Sequence, residues 1–306
     1  MRIALVIPTL GASHLQSCLD AVSALDPAPA VSVVVCSGAP EPRPVPVDVT
    51  LLRHHDRLGY AAAVNVGIAA LPDDVDGVAV LNDDAIPETV WLGALGDALE
   101  SDPKLASVQG TVSDAEGTSI DGRGIVFDPY GVPVQVDHGA AVDSDTGQRS
   151  VLAVSGTAGL YRKKALNEAA LPGPWFFDQN FDSYHEDLDL GLRLHRLGWR
   201  ARWVGGASSR HLGSASGPTM RWRHPWWVLA NRWRALAGNL SPSTLLVATP
   251  RLLRGEIRAV RTLLRTNPRA IPTAAAVAAA MPVLTARGWL RKTPGPRLET
   301  IPEPTP

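Results

Sequence analysis

Five short runs rich in apolar and β-branched residues recur early in the chain, at residues 3–7, 31–35, 49–52, 78–81 and 105–108. They lack the alternation with polar residues that marks a half-exposed strand, so we expect strands buried on both faces. Helical patterns lie between them, at residues 15–25, 61–71 and 87–99, the last with Pro87 in its tolerated first turn. This order predicts an α/β fold, an open and mostly parallel sheet flanked by helices.

The chain divides into three predicted segments. Residues 1–216 form a domain whose second half, 111–216, adds hairpins and loops, a strand at 151–161 and a helix at 186–197. Residues 217–292, rich in Trp and Arg and then in Ala, predict a basic helical segment with a helix at 250–264. The Pro-rich residues 293–306 predict a disordered tail.

Charge is distributed unevenly along the chain. The net charge is −1, but residues 207–306 contain 15 Lys and Arg against three Glu. An acidic body with a basic end is typical of a domain whose end meets an anionic surface. The two cysteines, Cys18 and Cys36, are too few for a disulfide framework, so we expect a reducing, cytoplasmic location.

No membrane-spanning segment is expected from the sequence. Pro8 and His14 interrupt the apolar start before it reaches the length of a signal peptide core. The longest later apolar stretch, residues 270–286, contains Pro272 and Pro282 and falls short of the ~20 residues that cross a bilayer.

Asn82, Asp83 and Asp84 follow directly on the predicted strand at 78–81. Open α/β sheets bind ligands at the carboxyl ends of their strands, and two carboxylates there suit Mg²⁺ or Mn²⁺ bridging a diphosphate. A second interpretation stays open, because Asp84 shortly precedes a predicted helix and can cap its amide groups.

Two further polar clusters carry candidate chemistry. His185-Glu186-Asp187-Leu188-Asp189 places three acids at a predicted helix start, after an aromatic-rich stretch. The helix dipole favours acids there whatever they do, but a carboxylate beside aromatic residues can also act as a general base. His211 follows a short predicted strand and is either a surface or capping residue or a ligand.

In this order and spacing, the three clusters resemble the family 2 glycosyltransferases of GT-A fold, and among them the rhamnosyltransferase-like and galactofuranosyltransferase-like branch. Residues 6–10 are similar to that family's opening strand and nucleotide-binding loop, and residues 59–67 to its helix near the donor diphosphate. Residues 155–162 are similar to the strand beside the acceptor site, and residues 186–193 to the helix that bears the catalytic acid.

The resemblance implies roles for individual residues. It makes Asp187 the catalytic base, Glu186 a partner that orients the acceptor, and Asp84 and His211 the ligands of Mn²⁺ or Mg²⁺. It assigns donor binding to Pro8, Thr9, Gly59, Tyr60, Asn65, Asn82 and Asp83. It assigns acceptor binding to Ser155, Gly156, Trp175 and His185.

Two positions depart from the family pattern. Cys36 lies at the end of the second predicted strand, where the family usually has an acidic residue that binds the nucleotide, so recognition of the base is open. Arg57 stands where an Asn is usual, and it places either a cation near the diphosphate or a charge at the surface.

The implied reaction is an inverting transfer from a UDP- or dTDP-sugar to a hydroxyl of a glycan or glycolipid, in the synthesis of cell-envelope polysaccharide. A dinucleotide-dependent oxidoreductase is excluded because the first strand leads into a loop with no Gly-x-Gly-x-x-Gly, and a sugar nucleotidyltransferase would need a basic Gly-rich loop there. The remaining alternative is a catalytically weak scaffold that binds through its basic end. No nucleic-acid partner is expected, because no recognised module accompanies the basic segment.

The basic segment predicts peripheral attachment to the inner face of the cell membrane. Its tryptophans lie among arginines, a combination that suits an anionic interface: Trp222, Trp226, Trp227 and Trp233. A lipid-linked acceptor would require an enzyme held there. The alternatives are that the segment packs on the catalytic domain or forms a homodimer interface.

Overall fold

A computed structural model describes residues 1–11, 13–38, 45–173, 175–213, 224–266 and 271–302. The strands are β1 (Ile3–Thr9), β2 (Val31–Ser37), β3 (Val49–His54), β4 (Gly77–Leu81), β5 (Ala85–Pro87), β6 (Leu105–Ser113), β7 (Ile120–Gly122), β8 (Ile125–Phe127), β9 (Pro133–Gln135), β10 (Gln148–Val151), β11 (Ala158–Arg162) and β12 (Arg200–His211). The helices are α1 (Leu15–Ser23), α2 (Tyr60–Ala69), α3 (Trp91–Ser101), α4 (Lys163–Glu168), α5 (Glu186–Arg196), α6 (His224–Asn239), α7 (Pro242–Thr266) and α8 (Ile271–Leu290).

The order of strands in the central sheet is β10-β12-β6-β11-β4-β1-β2-β3, with β5 beside β12 and β7 beside β6. β1 is parallel to β2 and β4, and β12 is parallel to β6, whereas β11 runs antiparallel between β4 and β6. The carboxyl ends of β1, β4, β6 and β12 therefore share one edge of the sheet with the amino end of β11. The predicted α/β fold with a mostly parallel sheet and flanking helices is confirmed.

Helices cover both faces of the sheet. Ala4 and Val6 of β1 belong to a core shared with α2, α4 and α5, whereas Leu5 and Ile7 belong to a core shared with α1 and α3. Because successive residues of a strand point to opposite faces, burial on both sides requires an unbroken apolar run. This is why the strand segments show no polar alternation.

Several boundaries differ from the sequence prediction; the helix predicted at 250–264, for example, is α7, which begins at Pro242 and ends at Thr266. Pro87 ends the short strand β5, which pairs with β12, and α3 begins only at Trp91. Proline is tolerated in such a marginal strand because few ladder hydrogen bonds are lost. The strand predicted at 151–161 is divided, since Val151 ends β10 and β11 begins at Ala158. Between them, Ala153 forms a β-bridge with Ile125, and residues 156–157 form a turn at the edge described above, just before β11.

The helix α6 and the residue that follows α8 are joined to α5 through Asp189. Asp189 of α5 is fully buried and accepts hydrogen bonds from Arg193, from Asn239 of α6 and from Arg291, the residue after α8. A buried carboxylate is tolerated when it is paired and hydrogen-bonded in this way. The Asp189 network therefore joins α6 and the end of α8 to α5.

The residues after α8 correct the prediction of a disordered tail. Residues 293–302 lie against the domain: Arg196 donates a 2.6 Å hydrogen bond to the carbonyl of Pro296, and Ile301 is buried in the core beside α6. Residues 303–306 lie outside the described residues.

The tryptophans of the C-terminal segment also differ from their predicted role at a membrane. Trp227 and Trp233 are only 6% and 3% exposed, and Trp226 is half-buried. Trp227 and Trp233 therefore pack inside the protein, and only Trp226 of the three keeps part of its surface exposed. Trp222 lies outside the described residues.

The helix α8 runs without a break through Pro272 and Pro282, contrary to the predicted interruption. Pro272 lies in the first turn, where its missing N–H leaves no hydrogen bond unmade. Among the described helices, α8 is the one whose length and composition would allow it to cross a membrane. One face of α8 packs on α6 through Val277 and Leu284, and Gly288 lies against Ala237.

Candidate active site

Polar residues from several strand ends meet at the carboxyl edge of the sheet. Thr9 ends β1, and the backbone N–H of Asn82, just after β4, donates to the carbonyl of Thr157 before β11 (2.9 Å). The N–H of Leu212, just after β12, donates to the carbonyl of Asp84 (2.8 Å). The edge predicted to bind a ligand is therefore built from β1, β4, β11 and β12.

Asp84 and His211 face each other because β5 pairs with β12, which sets Ala85 opposite His211. His211 Nε2 lies 3.3 Å from Asp84 Oδ1, and His211 Nδ1 lies 2.9 Å from Asp121 Oδ2. Burial disfavours the charged imidazole, but hydrogen bonds to Asp121 and Asp84 outweigh it and raise the pKa of His211 to about 10. The helix-cap interpretation of Asp84 is wrong, because the N-cap position of α3 is Val90.

The other two polar residues after β4 also line this edge. Asp83 Oδ2 accepts a 2.5 Å hydrogen bond from the Thr9 hydroxyl, and burial raises the pKa of Asp83 to about 6. Asn82 Oδ1 is buried, and no hydrogen-bond partner is found for it within the described ranges. A buried acceptor without a partner costs about 1–3 kcal/mol, which fits a site that a ligand completes.

The pair Asp84 and His211 fits a divalent cation. Their facing atoms are 3.3 Å apart, close to the separation of about 3 Å between neighbouring ligands of an ion at 2.0–2.1 Å. In the part of the chain that the structure describes, no group of three or more His, Cys, Asp or Glu side chains could hold a metal by itself. Mg²⁺ sites commonly have one or two carboxylates and fill their other positions with water and substrate phosphates.

The first two residues of α5 are the predicted catalytic acids. Asp187 is half-buried and accepts hydrogen bonds from the backbone N–H of Gly156 (3.1 Å) and of Leu188 (2.7 Å). Glu186 is buried, and no partner of its Oε2 is found among the described residues. Burial raises the pKa of both carboxyls, and the neighbouring charge of Asp187 raises that of Glu186 further. Because two N–H groups stabilise its charge, Asp187 is the carboxyl that ionises first.

The loop before α5 is held in an unusual conformation by α6. Asp182, Tyr184 and His185 have φ angles of 61°, 69° and 68°, which residues other than glycine rarely adopt. The buried amide of Asn231 donates at 2.7, 2.9 and 3.0 Å to the carbonyls of Phe181, Ser183 and Tyr184. His185 Nε2 lies 3.1 Å from the carbonyl of Val228. The helix α6 therefore fixes the segment that positions the two acids.

Gly59 and Tyr60, both predicted to bind the donor, lie close to Asp187 and to the loop before α5. The Tyr60 hydroxyl donates a 2.5 Å hydrogen bond to the carbonyl of Gly156, whose N–H binds Asp187. A Cβ on Gly59 would lie 2.2 Å from Asp182 Oδ1, so glycine allows the close approach of α2 to the loop before α5.

The remaining predicted residues differ in their distance from the site. Ser155 precedes Gly156 in the same turn, and its N–H is fixed by Gln109 Oε1 at 2.6 Å. Pro8 lies inside β1, paired in register with Val35 of β2. Trp175 pairs through its backbone with Leu171, and this contact gives no support to its predicted acceptor role.

The predicted role of Asn65 in donor binding is wrong. Asn65 is fully buried, its Nδ2 donates to the carbonyl of Phe177 (2.7 Å), and its Oδ1 accepts from the N–H groups of Phe176 and Phe177. Both ends of the amide are therefore occupied by backbone groups. Asn65 fastens the aromatic segment to α2 and does not contact a ligand.

Several contacts beside the site were not predicted from the sequence. Asp121 binds His211 across a separation of 90 residues. Arg57, whose role was open, forms a 3.1 Å ion pair with Asp182, and its guanidinium lies 6.0 Å from the ring of Trp227 on α6. Such pairs join distant segments, so no local pattern in the sequence marks them.

Comparisons with known proteins agree with the fold. A model of the family described as glycosyl transferase family group 2 matches residues 77–291, which include α6, α7 and α8. No curated protein matches the sequence.

The solved structures that are similar to this chain include those of GalNAc-T7 and of the mannosyltransferase PcManGT. The structure of GalNAc-T7 with UDP, GalNAc and Mn²⁺ has a TM-score of 0.61 and 13% identity, over 79% of this chain and 48% of that one, so this chain spans about half its length. The mannosyltransferase PcManGT from Pyrobaculum calidifontis, in complex with GDP-Man and Mn²⁺, has a TM-score of 0.50 and 19% identity, over 94% and 79% of the two chains. At these identities the likeness shows a shared fold.

Proposed function

Because this chain belongs to glycosyl transferase family group 2, we propose that it moves a sugar from a nucleotide-diphosphate donor to an acceptor hydroxyl at the carboxyl edge of its sheet. One observation carries the proposal: the pair Asp84 and His211 and the base Asp187 lie at the same edge, linked through the turn at 155–157. The site thus offers a position for a diphosphate-bound metal and a position for proton removal.

We assign the role of base to Asp187. Its ionised carboxylate accepts the proton of the acceptor hydroxyl as that oxygen attacks the anomeric carbon, while the bond to the diphosphate breaks on the opposite face. This single displacement inverts the anomeric centre and needs no covalent enzyme intermediate. Burial and the neighbouring charge of Asp187 raise the pKa of Glu186, which disfavours a second negative charge beside the base.

The diphosphate leaving group would be bound at the other end of the site. Asp84 and His211 are the residues that would hold Mn²⁺ or Mg²⁺, and the metal, when bound, would stabilise the charge on the departing diphosphate. Asp83 and Thr9, joined by their 2.5 Å hydrogen bond, line the same edge as donor-binding residues. Both similar transferase structures contain Mn²⁺ with UDP or GDP-Man, which supports a metal-dependent nucleotide site here.

We further propose a UDP- or dTDP-sugar as donor and a glycan or glycolipid of the cell envelope as acceptor, within the rhamnosyltransferase-like and galactofuranosyltransferase-like branch. The matched sequence segments support this assignment. In a screen of UDP-, dTDP- and GDP-sugars we expect one nucleotide class to raise the melting temperature and to be slowly hydrolysed in Mn²⁺. A protein that is stabilised by nucleotide sugars but hydrolyses and transfers none of them would instead be the catalytically weak scaffold.

We also propose that α7 attaches the enzyme to the inner, anionic face of the membrane. The apolar residues Leu246, Leu253 and Ile257 share one face of this helix and are 75%, 42% and 51% exposed. Arg254 and Arg261, also exposed, lie beside that face. An amphipathic helix of this kind lies in the interface plane, and each basic residue near an anionic leaflet contributes about 1 kcal/mol.

Flotation with vesicles that contain anionic lipid tests this attachment. We expect binding at low salt that weakens at high salt and weakens further in the double variant Arg254→Glu with Arg261→Glu. The matched control, Lys104→Glu with Lys164→Glu, makes the same change in charge at exposed positions outside α7 and should float like the wild type. Absence of salt-sensitive flotation would exclude the attachment, and a concentration-dependent dimer that the α7 variant dissociates would identify a homodimer interface instead.

A further inference from the structure

Asp121 stands directly behind one of the two metal-binding side chains. It lies in β7, which pairs with β6, and its Oδ2 is 2.9 Å from His211 Nδ1. The other ring nitrogen of His211, Nε2, faces Asp84 Oδ1 at 3.3 Å. The imidazole is therefore held between two carboxylates, one at each nitrogen.

The carboxylates of Asp84 and Asp121 have different roles. A carboxylate that binds Nδ1 lies on the far side of the ring from the ion that Nε2 would bind, so Asp121 is not a ligand of that ion. A histidine that binds a metal commonly donates its other N–H to a carboxylate, which fixes the tautomer, orients the ring and makes the ligand nitrogen more basic. The Nδ1–H···Oδ2 contact of His211 with Asp121 has this arrangement.

We propose that Asp121 is a positioning residue that holds the His211 ring with its Nε2 directed toward the metal. This inference rests on the proposed function, because it presupposes that Asp84 and His211 bind a divalent cation. Asp121 is itself held on its backbone side, since its carbonyl oxygen lies 2.8 Å from His138 Nδ1. The backbone of β7 at Asp121 therefore has a contact that does not depend on His211.

The affinity for Mn²⁺, measured by electron paramagnetic resonance of the free ion in saturating UDP, tests this role without any turnover. We expect Asp121→Ala to bind Mn²⁺ about 10–100-fold more weakly than the wild type, the range typical of losing such a partner. The Mn²⁺ affinity of Asp121→Asn should lie between those of Asp121→Ala and the wild type, because the amide oxygen still accepts from Nδ1–H but carries no charge. Glu116→Ala, which removes an exposed acid between β6 and β7, is the matched control and should bind Mn²⁺ like the wild type.

The outcomes separate this inference from the proposed function. If His211→Ala binds Mn²⁺ as tightly as the wild type, the metal site itself is wrong. If His211→Ala is weakened while Asp121→Ala matches Glu116→Ala, the metal site stands and the role of Asp121 is refuted. Urea unfolding shows whether each variant folds. If Asp121→Ala does not fold, the Mn²⁺ affinity of Asp121→Asn tests the inference, and an affinity equal to that of the wild type would overturn it.

Discussion

The Asp187→Asn variant is expected to turn over about 10²–10⁴-fold more slowly than the wild type while binding the donor nucleotide with unchanged affinity. The substitution keeps the volume of the side chain, and its amide oxygen can still accept from the N–H of Gly156, which now binds Asp187 at 3.1 Å. What is lost is the ability to take a proton from the acceptor. Initial rates at saturating substrates give the turnover, and calorimetry with UDP gives the affinity.

Glu186→Gln is the matched control for this prediction. Burial and the charge of Asp187 raise the pKa of Glu186 and disfavour its ionisation, so replacing its carboxyl by an amide should reduce turnover far less than Asp187→Asn does. Wild-type turnover in Asp187→Asn would show that Asp187 is not the base. A severe loss confined to Glu186→Gln would show that the two roles are reversed.

The same pair predicts the acid side of the pH profile. Burial raises the pKa of Asp187 above its ordinary value of 3.8, and the carboxyl is a base only when ionised. At saturating Mn²⁺, the rate should therefore be full above that raised pKa and fall as the pH drops through it. The residual rate of Asp187→Asn should not show this fall at low pH.

The fold could be predicted because the feature that constrains it most, the unbroken apolar run of each central strand, is visible within a few consecutive residues. Residues 3–7 and 78–81 are apolar at every position, and such runs are stable only where helices cover both faces of a sheet, as they do here. The start of α5 was predictable for a similar reason, since its acids and the stop at Gly198 are signals read within one helix.

The site was predictable only in part. Asp84 and Asp187 could be located because they lie next to a strand end and at a helix start, which fix their positions. The prediction for Asn65 was wrong for a physical reason. A polar residue on a helix beside a site can form its hydrogen bonds inside the protein, and the sequence alone does not show that backbone groups of Phe176 and Phe177 occupy the Asn65 amide. Asp121 could not be found, because its partner lies on a distant strand.

The C-terminal segment shows how composition can mislead. Trp and Arg together suggested a membrane surface, yet Trp233 is buried and Arg232 pairs with Glu256 of α7. The same residue types serve a protein interior when each guanidinium finds a carboxylate. Whether such residues lie in the interior or at a membrane surface depends on how the helices pack. In this packing α7 keeps an exposed apolar face with arginines beside it.

The Asp84→Ala variant is expected to lose the metal-dependent part of nucleotide binding. Asp84 is the buried carboxylate that faces His211 Nε2, so its removal deletes one of the two proposed metal ligands while Asp121 still contacts Nδ1. The loss should exceed the 10–100-fold expected for a residue that acts behind a ligand. Glu88→Ala removes an exposed acid just after β5 and is the matched control, which should bind nucleotide like the wild type.

Calorimetric titration of UDP and dTDP, in Mn²⁺ and in chelator, tests the proposed metal-dependent nucleotide site most directly. We predict that the wild type binds one of the two nucleotides tightly in Mn²⁺ and weakly in chelator, and that Asp84→Ala binds it weakly in both. Equal wild-type affinity in Mn²⁺ and in chelator, together with unchanged affinity in Asp84→Ala, would contradict a metal site formed by Asp84 and His211.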